Sequence, residues 1–273
     1  MDCARAGDLF EEALDAAEEA ASLLGLERSD RTVLHRSNNV VVRMGQAVMK
    51  VGTDLSRIRT EVEVTREVAR AGGPVFAPLA DAIEVGRFGV SVWPFLVGDP
   101  RPADDHICLT ALSMLHQALA ASSVPLPRLV ERFDEVRSIL DDDAATAALA
   151  TDDRSLLRAA VDDAAGCTEK SPHGFLHAEP HDRNRLTVDG VVVYLDLEAA
   201  CVGPVEWDLA YFDDDAVQRV WPDHDQLLRR RLQIGVSACV SSYCWRHVTA
   251  RPADREMRWH AEHHLGVVRD STE

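Results

Sequence analysis

The hydrophobic pattern changes its period near residue 94, and this change constrains the fold more than any other feature of the sequence. Before that point, short β-branched runs separated by turn residues predict strands, and helical spacing at 55–71 predicts one helix among them. After it, helical spacing dominates, apart from a strand-rich stretch at 174–197. The pattern therefore predicts an α+β chain with a small β-rich lobe that contains one helix, followed by a larger, mainly helical lobe.

The bounds of the segments follow from the same periodicity. The predicted strands of the small lobe are 31–35, 40–44, 47–51, 82–85 and 89–93, and the predicted helices are 8–26, 55–71, 105–122, 128–141, 144–165, 206–217, 224–249 and 253–267. Proline and glycine punctuate residues 94–100, which is typical of a connecting segment. We therefore expect an N-terminal lobe at 1–93, a hinge at 94–100 and a C-terminal lobe at 101–273.

The charge of the chain argues against one class of partner. It carries 29 basic and 46 acidic residues, a net charge of −17, whereas nucleic-acid binders usually present a basic face. No apolar run reaches the roughly 18 residues that span a bilayer, and the N-terminal segment is typical of an acidic helix rather than an export signal. The six cysteines form no CxxC pair, so we expect reduced thiols in a cytoplasmic protein. We expect no nucleic-acid or membrane partner, and either a monomer or a homodimer.

Lysine is scarce, and its position is informative. Of the 29 basic residues only Lys50 and Lys170 are lysines. Lys50 lies at the end of the predicted strand 47–51, and a chain this poor in lysine is expected to keep one for a role that arginine cannot serve. An exposed lysine at a sheet edge is the alternative explanation of the same pattern.

The densest group of polar residues lies in the strand-rich stretch. The segment His177-Ala178-Glu179-Pro180-His181-Asp182-Arg183-Asn184 is followed by the predicted strand 191–195 and then by Asp196. A carboxylate and a carboxamide on a loop beside a second carboxylate suit Mg²⁺, which prefers oxygen ligands and leaves room for phosphates. On this interpretation Asn184 and Asp196 bind the metal, and Glu179 accepts or orients the proton of a hydroxyl group.

The spacing of these residues resembles a known family. The loop 177–184 is similar to the His-Gly-Asp-x-His-x-x-Asn catalytic loop of aminoglycoside phosphotransferases and of the related choline and homoserine kinases. The segment Gly203-Pro204-Val205-Glu206-Trp207-Asp208-Leu209-Ala210 resembles the Gly-Pro and Asp-Leu-Ala elements of that family. The resemblance extends from about Thr32 to about Tyr211. It implies a bilobal protein-kinase-like fold with a small antiparallel-sheet N-lobe, and transfer of a phosphoryl group from a nucleotide to an alcohol.

The resemblance also implies a nucleotide site around Lys50. In this family the corresponding lysine holds the α- and β-phosphates and pairs with an acidic residue of the next helix. Glu61 and Glu63 are both candidates for that partner. We favour Glu61, because it precedes Pro74 by thirteen residues, about the spacing that the resemblance implies.

Two further segments would contact the nucleotide if the resemblance holds. The phosphate-covering loop corresponds to Ser37-Asn38-Asn39, which contains no glycine, so hydroxyl, amide and backbone groups would have to form the cradle. The purine would lie against the hinge, at Trp93, Phe95 and Leu96. Packing in the hydrophobic core is an equally good explanation of Trp93 and Phe95.

Other polar residues near the catalytic loop have structural interpretations. His177 would brace the loop by hydrogen bonding, and Asp208 would help to hold it, with a carboxylate at a helix start as the alternative for Asp208. Glu198 faces either the metal or solvent. The run Arg229-Arg230-Arg231 is interpreted as a solvated helix face.

The catalytic loop departs from the family pattern at two positions. The family has Gly and Asp where this chain has Ala178 and Glu179. The extra methylene displaces the carboxylate by about 1–1.5 Å, and a displacement of about 1 Å can lower a rate on the order of 10²-fold. Pro180 stiffens the loop directly after Glu179. We still expect activity, because phosphoryl transfer depends mainly on positioning and on metal electrostatics.

The sequence thus predicts a small-molecule kinase that uses ATP or GTP and Mg²⁺ to phosphorylate a hydroxyl group of a small polar acceptor. Because a negative protein concentrates positive ligands, a cationic acceptor such as a basic antibiotic is favoured, while a neutral antibiotic or a metabolite stays open. A nucleotide- or ligand-binding protein without catalysis is one alternative. A zinc or iron site built on His177, Glu179 and His181 is another.

Overall fold

The computed structural model describes residues 3–26, 31–36, 39–99 and 103–271. Within them, a five-stranded antiparallel sheet precedes a mostly helical remainder, which confirms the predicted α+β class. Two of the predicted site residues, Ser37 and Asn38, lie outside the described residues.

Helices and strands follow the predicted order, with shifts of a few residues at most ends. The helices of the described chain are α1 Cys3–Leu23, α2 Leu55–Arg70, α3 Asp105–Ala120, α4 Leu129–Asp141, α5 Thr151–Lys170, α6 Glu206–Leu209, α7 Asp214–Val220, α8 Gln226–Ala250 and α9 Arg255–Asp270. The strands are β1 Thr32–Arg36, β2 Val40–Met44, β3 Ala47–Gly52, β4 Ile83–Val85, β5 Phe88–Pro94, β6 Gly174–Leu176, β7 Arg185–Val188, β8 Val191–Tyr194 and β9 Cys201–Gly203.

Residue contacts divide the chain into two compact units, and the first comprises residues 1–125 and 180–200. Its sheet has the strand order β1-β2-β3-β5-β4, with every neighbouring pair antiparallel. The alanine face of α1, which includes Ala13 and Ala17, packs on the sheet beside Val42 and Met49. Small side chains let the helix approach closely, and burial of this apolar surface stabilises the pair by roughly 25 cal/mol per Å².

The alternation of side chains along β3 determines where Lys50 points. Neighbouring residues of a strand face opposite sides of a sheet, so Met49 and Val51 join the core under α1 whereas Lys50 faces α2. β3 is an inner strand, and Lys50 is in register with Val41 on one side and Ser91 on the other. Strand pairing with β2 on one side and β5 on the other holds the backbone at Lys50 in place.

A tight hairpin of the first unit delivers Asp196. β7 and β8 are joined by Asp189 and Gly190, both with positive φ (51° and 80°), and Asp-Gly is a preferred sequence for such a two-residue turn. Tyr194 anchors the hairpin, because its N–H donates to the carbonyl of Pro74 at 2.7 Å and its hydroxyl donates to the carbonyl of Cys108 at 2.9 Å.

The second unit comprises residues 126–179 and 201–273 and is mainly helical. α5, α8 and α9 pack together, and α4 packs against α5 and α8. Gly235 permits the close approach of α8 to α5, because a Cβ there would lie 2.5 Å from the Cβ of Ala164. Phe133 of α4 meets Trp207 of α6 edge to face, with 5.4 Å between ring centroids. Both side chains are fully buried and form the centre of this core.

Three expectations from the sequence need correction. The predicted helix 144–165 begins at Thr151 and extends to Lys170. The predicted helix 206–217 is two helices, α6 and α7, because the carboxylate of Asp213 caps α7 by accepting hydrogen bonds from the N–H groups of Asp215 and Ala216. The predicted solvated face at 229–231 is wrong for its first residue, whose side chain is buried.

Arg229 is buried because the chain around α6 and α7 offers it a full set of acceptors. Its guanidinium donates to the carbonyls of Leu209 and Phe212 and to the carboxylate of Asp214, at 3.0, 2.5 and 2.5 Å. The three acceptors lie at the end of α6, in the short connection to α7 and at the start of α7, respectively. Arg229 therefore holds that connection, a role that the arginine run did not reveal.

The division into a nucleotide-binding lobe, a hinge and a catalytic lobe stays a prediction, since the contact-based units have other bounds. No helix in the described part of the chain is long and apolar enough to cross a bilayer. Five cysteines are free and buried, namely Cys108, Cys167, Cys201, Cys239 and Cys244. The cytoplasmic location and the monomeric or dimeric state likewise stay predictions.

Candidate functional site

Lys50 lies among three carboxyl groups, those of Glu61, Asp196 and Glu198, and we call these four residues the Lys50 cluster. The Lys50 Nζ is 2.7 Å from Asp196 Oδ1 and 2.5 Å from Glu198 Oε2. It also contacts both carboxyl oxygens of Glu61, at 3.1 and 3.2 Å. Lys50 and Glu61 are buried, whereas 38% of the Asp196 side chain is exposed. The buried ammonium of Lys50 thus contacts both the buried carboxyl group of Glu61 on α2 and the partly exposed carboxyl group of Asp196.

The crowding of carboxyl groups shifts the acid–base behaviour of the buried pair. Burial raises the pKa of Glu61 to about 8, and the carboxylates of Asp196 and Glu198 add to the rise while Lys50 opposes it. Burial alone would lower the pKa of Lys50, but its three carboxyl neighbours outweigh that effect and the net pKa is raised. Lys50 therefore stays protonated at neutral pH.

Glu198 has a defined place in the cluster, where the sequence left metal and solvent as alternatives. Asn39 donates a hydrogen bond from Nδ2 to Glu198 Oε2 at 3.0 Å, and Nη2 of Arg57 lies 3.7 Å from Oε1. Gly52 makes room for this arrangement, because a Cβ there would lie 2.2 Å from Asn39 Oδ1. Only 18% of the Glu198 side chain is exposed, so it faces Lys50 rather than solvent.

Asn184 lies on the backbone path that leads to Asp196. It is buried and ends a 3₁₀ turn at Asp182–Asn184, and its carbonyl accepts a hydrogen bond from the N–H of Leu195 at 2.9 Å. This bond joins the end of the loop to the residue before Asp196. Asp196 itself has a left-handed backbone, with φ 63°, a strained conformation of the kind that occurs at functional sites.

The carboxyl groups of the Lys50 cluster are of the kind that bind a divalent cation. Glu61, Asp196 and Glu198 have ligand atoms within 4.8 Å of one another, and in the described ranges no other group of three histidine, cysteine or acidic side chains does. Carboxylate oxygens are the ligands that Mg²⁺ prefers. No group containing His177 or His181 meets this criterion among the same residues, so the transition-metal alternative gains no support.

The three residues expected to contact a purine are all half-buried. Trp93 donates a hydrogen bond from Nε1 to the hydroxyl of Ser91 at 2.8 Å. The guanidinium carbon of Arg43 lies 3.6 Å from the centroid of the Phe95 ring. Leu96 follows directly in the chain. None of the three is among the fully buried residues, and both the purine contact and the core-packing alternative stay predictions.

In the second unit, Asp208 holds the catalytic loop by its backbone. Asp208 is fully buried, and its carboxylate accepts hydrogen bonds from the N–H groups of His177 and Ala178, both at 2.8 Å. The Nδ1 atom of His177 in turn accepts from the N–H of Glu179 at 3.3 Å. Asp208 makes no side-chain cap of its own helix, α6. These are the contacts that the predicted supporting roles of His177 and Asp208 require.

Ala178 has the backbone conformation that explains why the family pattern has glycine here. Its φ is 71°, in the left-handed region that costs an L-residue roughly 1–2 kcal/mol. Besides the bond to Asp208, its carbonyl accepts hydrogen bonds from Trp207 Nε1 at 2.9 Å and from the hydroxyl of Tyr211 at 3.3 Å. The surrounding side chains therefore hold the loop in a strained shape.

Glu179 forms an ion pair with Arg132 of α4, a residue that the sequence analysis missed. Only 16% of the Arg132 side chain is exposed. Burial alone would lower the pKa of Arg132, but the Glu179 carboxylate and the nearby Tyr211, Tyr243 and Cys239 together outweigh it, and the pKa is raised. We call Arg132, His177, Ala178, Glu179 and Asp208 the catalytic-loop cluster.

One signal in the sequence could have revealed Arg132. The buried positions of α4 include Leu129, Phe133 and Val136. Arg132 lies three residues after the first and four before the last, so it is on the same face of the helix. A charged residue on an apolar stripe indicates a buried partner, although no local pattern identifies that partner as Glu179, 47 residues later.

Comparison with known proteins gives one family and a group of similar structures. A family model described as the phosphotransferase enzyme family matches residues 22–234. A choline/ethanolamine kinase family protein from Mesorhizobium loti is 16% identical with a TM-score of 0.65, over 94% of this chain and 95% of that chain. An amicoumacin kinase in complex with AMP-PNP, Ca²⁺ and Ami is 12% identical with a TM-score of 0.64, over 89% and 88%.

A third similar structure is a thermostable mutant of an aminoglycoside phosphotransferase. It is 15% identical with a TM-score of 0.63, over 92% of this chain and 98% of that chain. No curated protein sequence matches this chain significantly. At these identities the structural likenesses establish the fold alone, and they confirm the predicted protein-kinase-like architecture.

Proposed function

Because the chain belongs to the phosphotransferase enzyme family, we propose that it transfers the γ-phosphoryl group of ATP or GTP to a hydroxyl group of a small polar molecule. The family match confirms the family predicted from the sequence and supports kinase activity. One observation carries the proposal. The buried Lys50 ammonium touches both carboxyl oxygens of Glu61 and lies 2.7 Å from Asp196, at the open side of the cluster.

Lys50 binds the α- and β-phosphates in this proposal. Glu61 fixes the ammonium before the nucleotide arrives, and preorganised charge needs no rearrangement during the reaction. Glu63, the alternative partner, is exposed on the opposite side of α2, whereas Glu61 is 2% exposed. The half-buried rings of Trp93 and Phe95, with Leu96, provide apolar surface for the purine.

Asn184 and Asp196 hold Mg²⁺, and Glu198 extends this set of oxygen ligands. When bound, such a cation neutralises phosphate oxygens and supports in-line transfer. The contribution of the chain is to present carboxylates that Lys50 already gathers, with Asn39 holding Glu198 by a hydrogen bond at 3.0 Å.

Glu179 orients the acceptor hydroxyl or takes its proton. Since the transition state of phosphoryl transfer is loose, orientation of the nucleophile contributes more than the strength of the base. The position of a carboxylate then matters more than whether Asp or Glu carries it.

We propose an antibiotic as the acceptor, which would make the protein a resistance O-phosphotransferase. Similar structures include a spectinomycin phosphotransferase and a macrolide 2′-phosphotransferase from Brachybacterium faecium, and the net charge of −17 favours a cationic molecule. A metabolite kinase is the alternative, supported by the likeness to a choline/ethanolamine kinase family protein.

A second candidate function is nucleotide binding without transfer. The ion pair between Glu179 and Arg132 favours it, because the carboxylate expected to meet the acceptor hydroxyl is already engaged by a guanidinium of the chain. The two candidates differ in whether any acceptor gains a phosphoryl group.

The deciding experiment measures consumption of ATP and GTP, with Mg²⁺, across a panel of antibiotics and metabolites, and mass spectrometry detects an acceptor heavier by one phosphoryl group. The kinase proposal requires that Asp196→Ala abolishes the product. Asp81→Ala is the matched control, since that carboxylate is 88% exposed and pairs only peripherally with Arg66. If nucleotide binds, no acceptor is modified, and Glu179→Asp creates activity, the chain is a binding protein instead.

A further inference from the structure

The Glu179 side chain is longer than the aspartate of the family pattern, so its carboxylate needs a partner that fixes its position. Compared with the aspartate of the family pattern, Glu179 has one more rotatable bond, and 33% of its side chain is exposed. A partly exposed carboxylate with one more rotatable bond has more rotamers open to it, and only some of them bring its oxygens to the place where an acceptor hydroxyl can meet them. Positioning therefore has to come from another residue.

Arg132 is built into the core in a way that makes it a rigid support. It projects from α4 between Leu129 and Phe133, both fully buried. Its guanidinium carbon lies 6.0 Å from the ring centroid of Trp207 and 5.6 Å from that of Tyr243. Packing of this kind against aromatic faces is favourable for a guanidinium and restricts its rotamers.

The same frame holds the backbone next to Glu179. The indole N–H of Trp207 donates to the carbonyl of Ala178 at 2.9 Å, and Phe133 packs edge to face on the Trp207 ring. One aromatic side chain thus lies beside Arg132 and also fixes the residue before Glu179. Trp207 therefore supports both the Arg132 side chain and the backbone next to Glu179.

We propose that Arg132 is a positioning residue for phosphoryl transfer, and that its bond to Oε1 of Glu179 holds the longer carboxylate where the acceptor hydroxyl binds. The inference rests on the proposed kinase function. Arg132 itself touches neither nucleotide nor acceptor in this proposal. The pair of Arg132 and Glu179 replaces the shorter aspartate of the family pattern, and the guanidinium compensates for the added methylene.

The test compares Arg132→Met and Arg132→Lys with a control in which another arginine of α4 is replaced by methionine. Arg137→Met is that control, because Arg137 pairs with Asp134 and Asp162 at 2.8 and 2.7 Å on the exposed side of the helix. Steady-state kcat and KM are measured for Mg²⁺-ATP with the acceptor found in the panel, or with water as the acceptor if ATP is only hydrolysed. Each Arg132 variant is also made together with Glu179→Gln.

Arg132→Met is expected to lower kcat on the order of 10²-fold, the cost of misplacing a catalytic group by about 1 Å. KM for ATP stays within about twofold, and Arg132→Lys restores part of kcat because it restores a cation. Combined with Glu179→Gln, the Arg132 substitution causes no further loss, since residues that act as a unit are not additive.

Two results would overturn the inference while leaving the kinase proposal intact. One is a kcat for Arg132→Met equal to that of Arg137→Met. The other is a loss of kcat on replacing Arg132 in the Glu179→Gln protein that equals the loss on replacing it in the unmodified protein. That result would mean that Arg132 acts independently of Glu179. If the unmodified protein turns over no nucleotide with any acceptor or with water, both proposals fail. Should Arg132→Met not fold, the Arg132→Lys series decides by the same criteria.

Discussion

The Lys50 cluster and the catalytic-loop cluster distribute charge in opposite ways. In the Lys50 cluster, three carboxyl groups surround one ammonium, and Asp196 is 38% exposed. In the catalytic-loop cluster, each carboxylate has dedicated donors inside the chain. Asp208 accepts from two backbone N–H groups, and Glu179 pairs with Arg132.

The contrast between the Lys50 cluster and Asp208 separates groups that bind a ligand from groups that shape a loop. A group that only stabilises the fold is best satisfied within the chain, because buried polar atoms without partners are costly. A group that receives a cation or a phosphate has to stay partly unbalanced until the ligand arrives. The excess of carboxyl groups around Lys50 is therefore a sign of binding, and the balance around Asp208 is a sign of support.

The largest expected effect is a loss of activity without a loss of stability when Asp196 is replaced. Asp196→Asn removes a charge from the crowded cluster, so phosphoryl transfer is expected to fall on the order of 10²–10³-fold, as when one preorganised electrostatic group is lost. The free energy of unfolding is expected to stay within about 0.5 kcal/mol or to rise, because repulsion among the carboxylates is relieved. Urea unfolding and a product assay check the two halves, and a strongly destabilised variant would contradict the comparison.

The reverse pattern is expected at Asp208. Asp208→Asn replaces a buried carboxylate that holds two N–H groups, and hydrogen bonds to a charged group contribute roughly 1.5–3 kcal/mol each. We expect the free energy of unfolding to fall by about 3 kcal/mol. Nucleotide binding, measured by calorimetry under conditions where the variant is folded, should be unchanged because Asp208 lies outside the Lys50 cluster. Unchanged urea unfolding would show that Asp208 is not a structural support.

What the sequence predicted was mostly encoded in local patterns. The scarcity of lysine, the position at a strand end and the family resemblance singled out Lys50, and the spacing to Pro74 that the resemblance implies favoured Glu61 on the next helix. The loop and the hairpin placed Asn184 and Asp196 close in sequence as well. Such residues can be found because their spacing reflects secondary structure rather than the packing of distant segments.

Arg132 and Arg229 could not be assigned in this way, because their partners are chosen by tertiary packing. Successive helical residues point about 100° apart, so a run of three arginines spans about 200° of the helix, and composition does not say which one turns inward. Arg229 turns inward because the carbonyls of Leu209, at the end of α6, and of Phe212, in the connection to α7, face it. The partner of Arg132 depends on where a loop 47 residues later returns to α4.

An effect of intermediate size is expected on the pH dependence of the free energy of unfolding, because the pKa of Glu61 is raised in the folded protein. Its pKa is about 8 in the folded protein and 4.5 when unperturbed, so between these values the folded state binds a proton that the unfolded state lacks. The free energy of unfolding of the nucleotide-free protein should therefore decrease as pH rises, by up to about 2 kcal/mol from pH 6 to 7.5. Urea unfolding at several pH values measures the slope.

Substitutions at two positions of α2 identify the source of that slope. Glu61→Gln should flatten the pH dependence, because no titrating group then remains at the buried position. Glu63→Gln is the matched control, since Glu63 is exposed on the same helix, and it should leave the slope unchanged. A flat profile in the unmodified protein, or equal slopes in both variants, would contradict the account of a crowded cluster.

The smallest effect is expected at Ala178, where opposing contributions nearly cancel. Ala178→Gly relieves a left-handed conformation that costs an L-residue roughly 1–2 kcal/mol, but it adds about 0.5–1 kcal/mol of backbone entropy and removes a buried methyl group worth about 0.8 kcal/mol. The free energy of unfolding should therefore change by less than about 0.5 kcal/mol. Ala164→Gly, at an equally buried position in α5, has no strain to relieve and should destabilise by about 1.5–2 kcal/mol. Urea unfolding of the two variants measures the strain as their difference, and equal losses would mean that the catalytic-loop cluster holds Ala178 without strain.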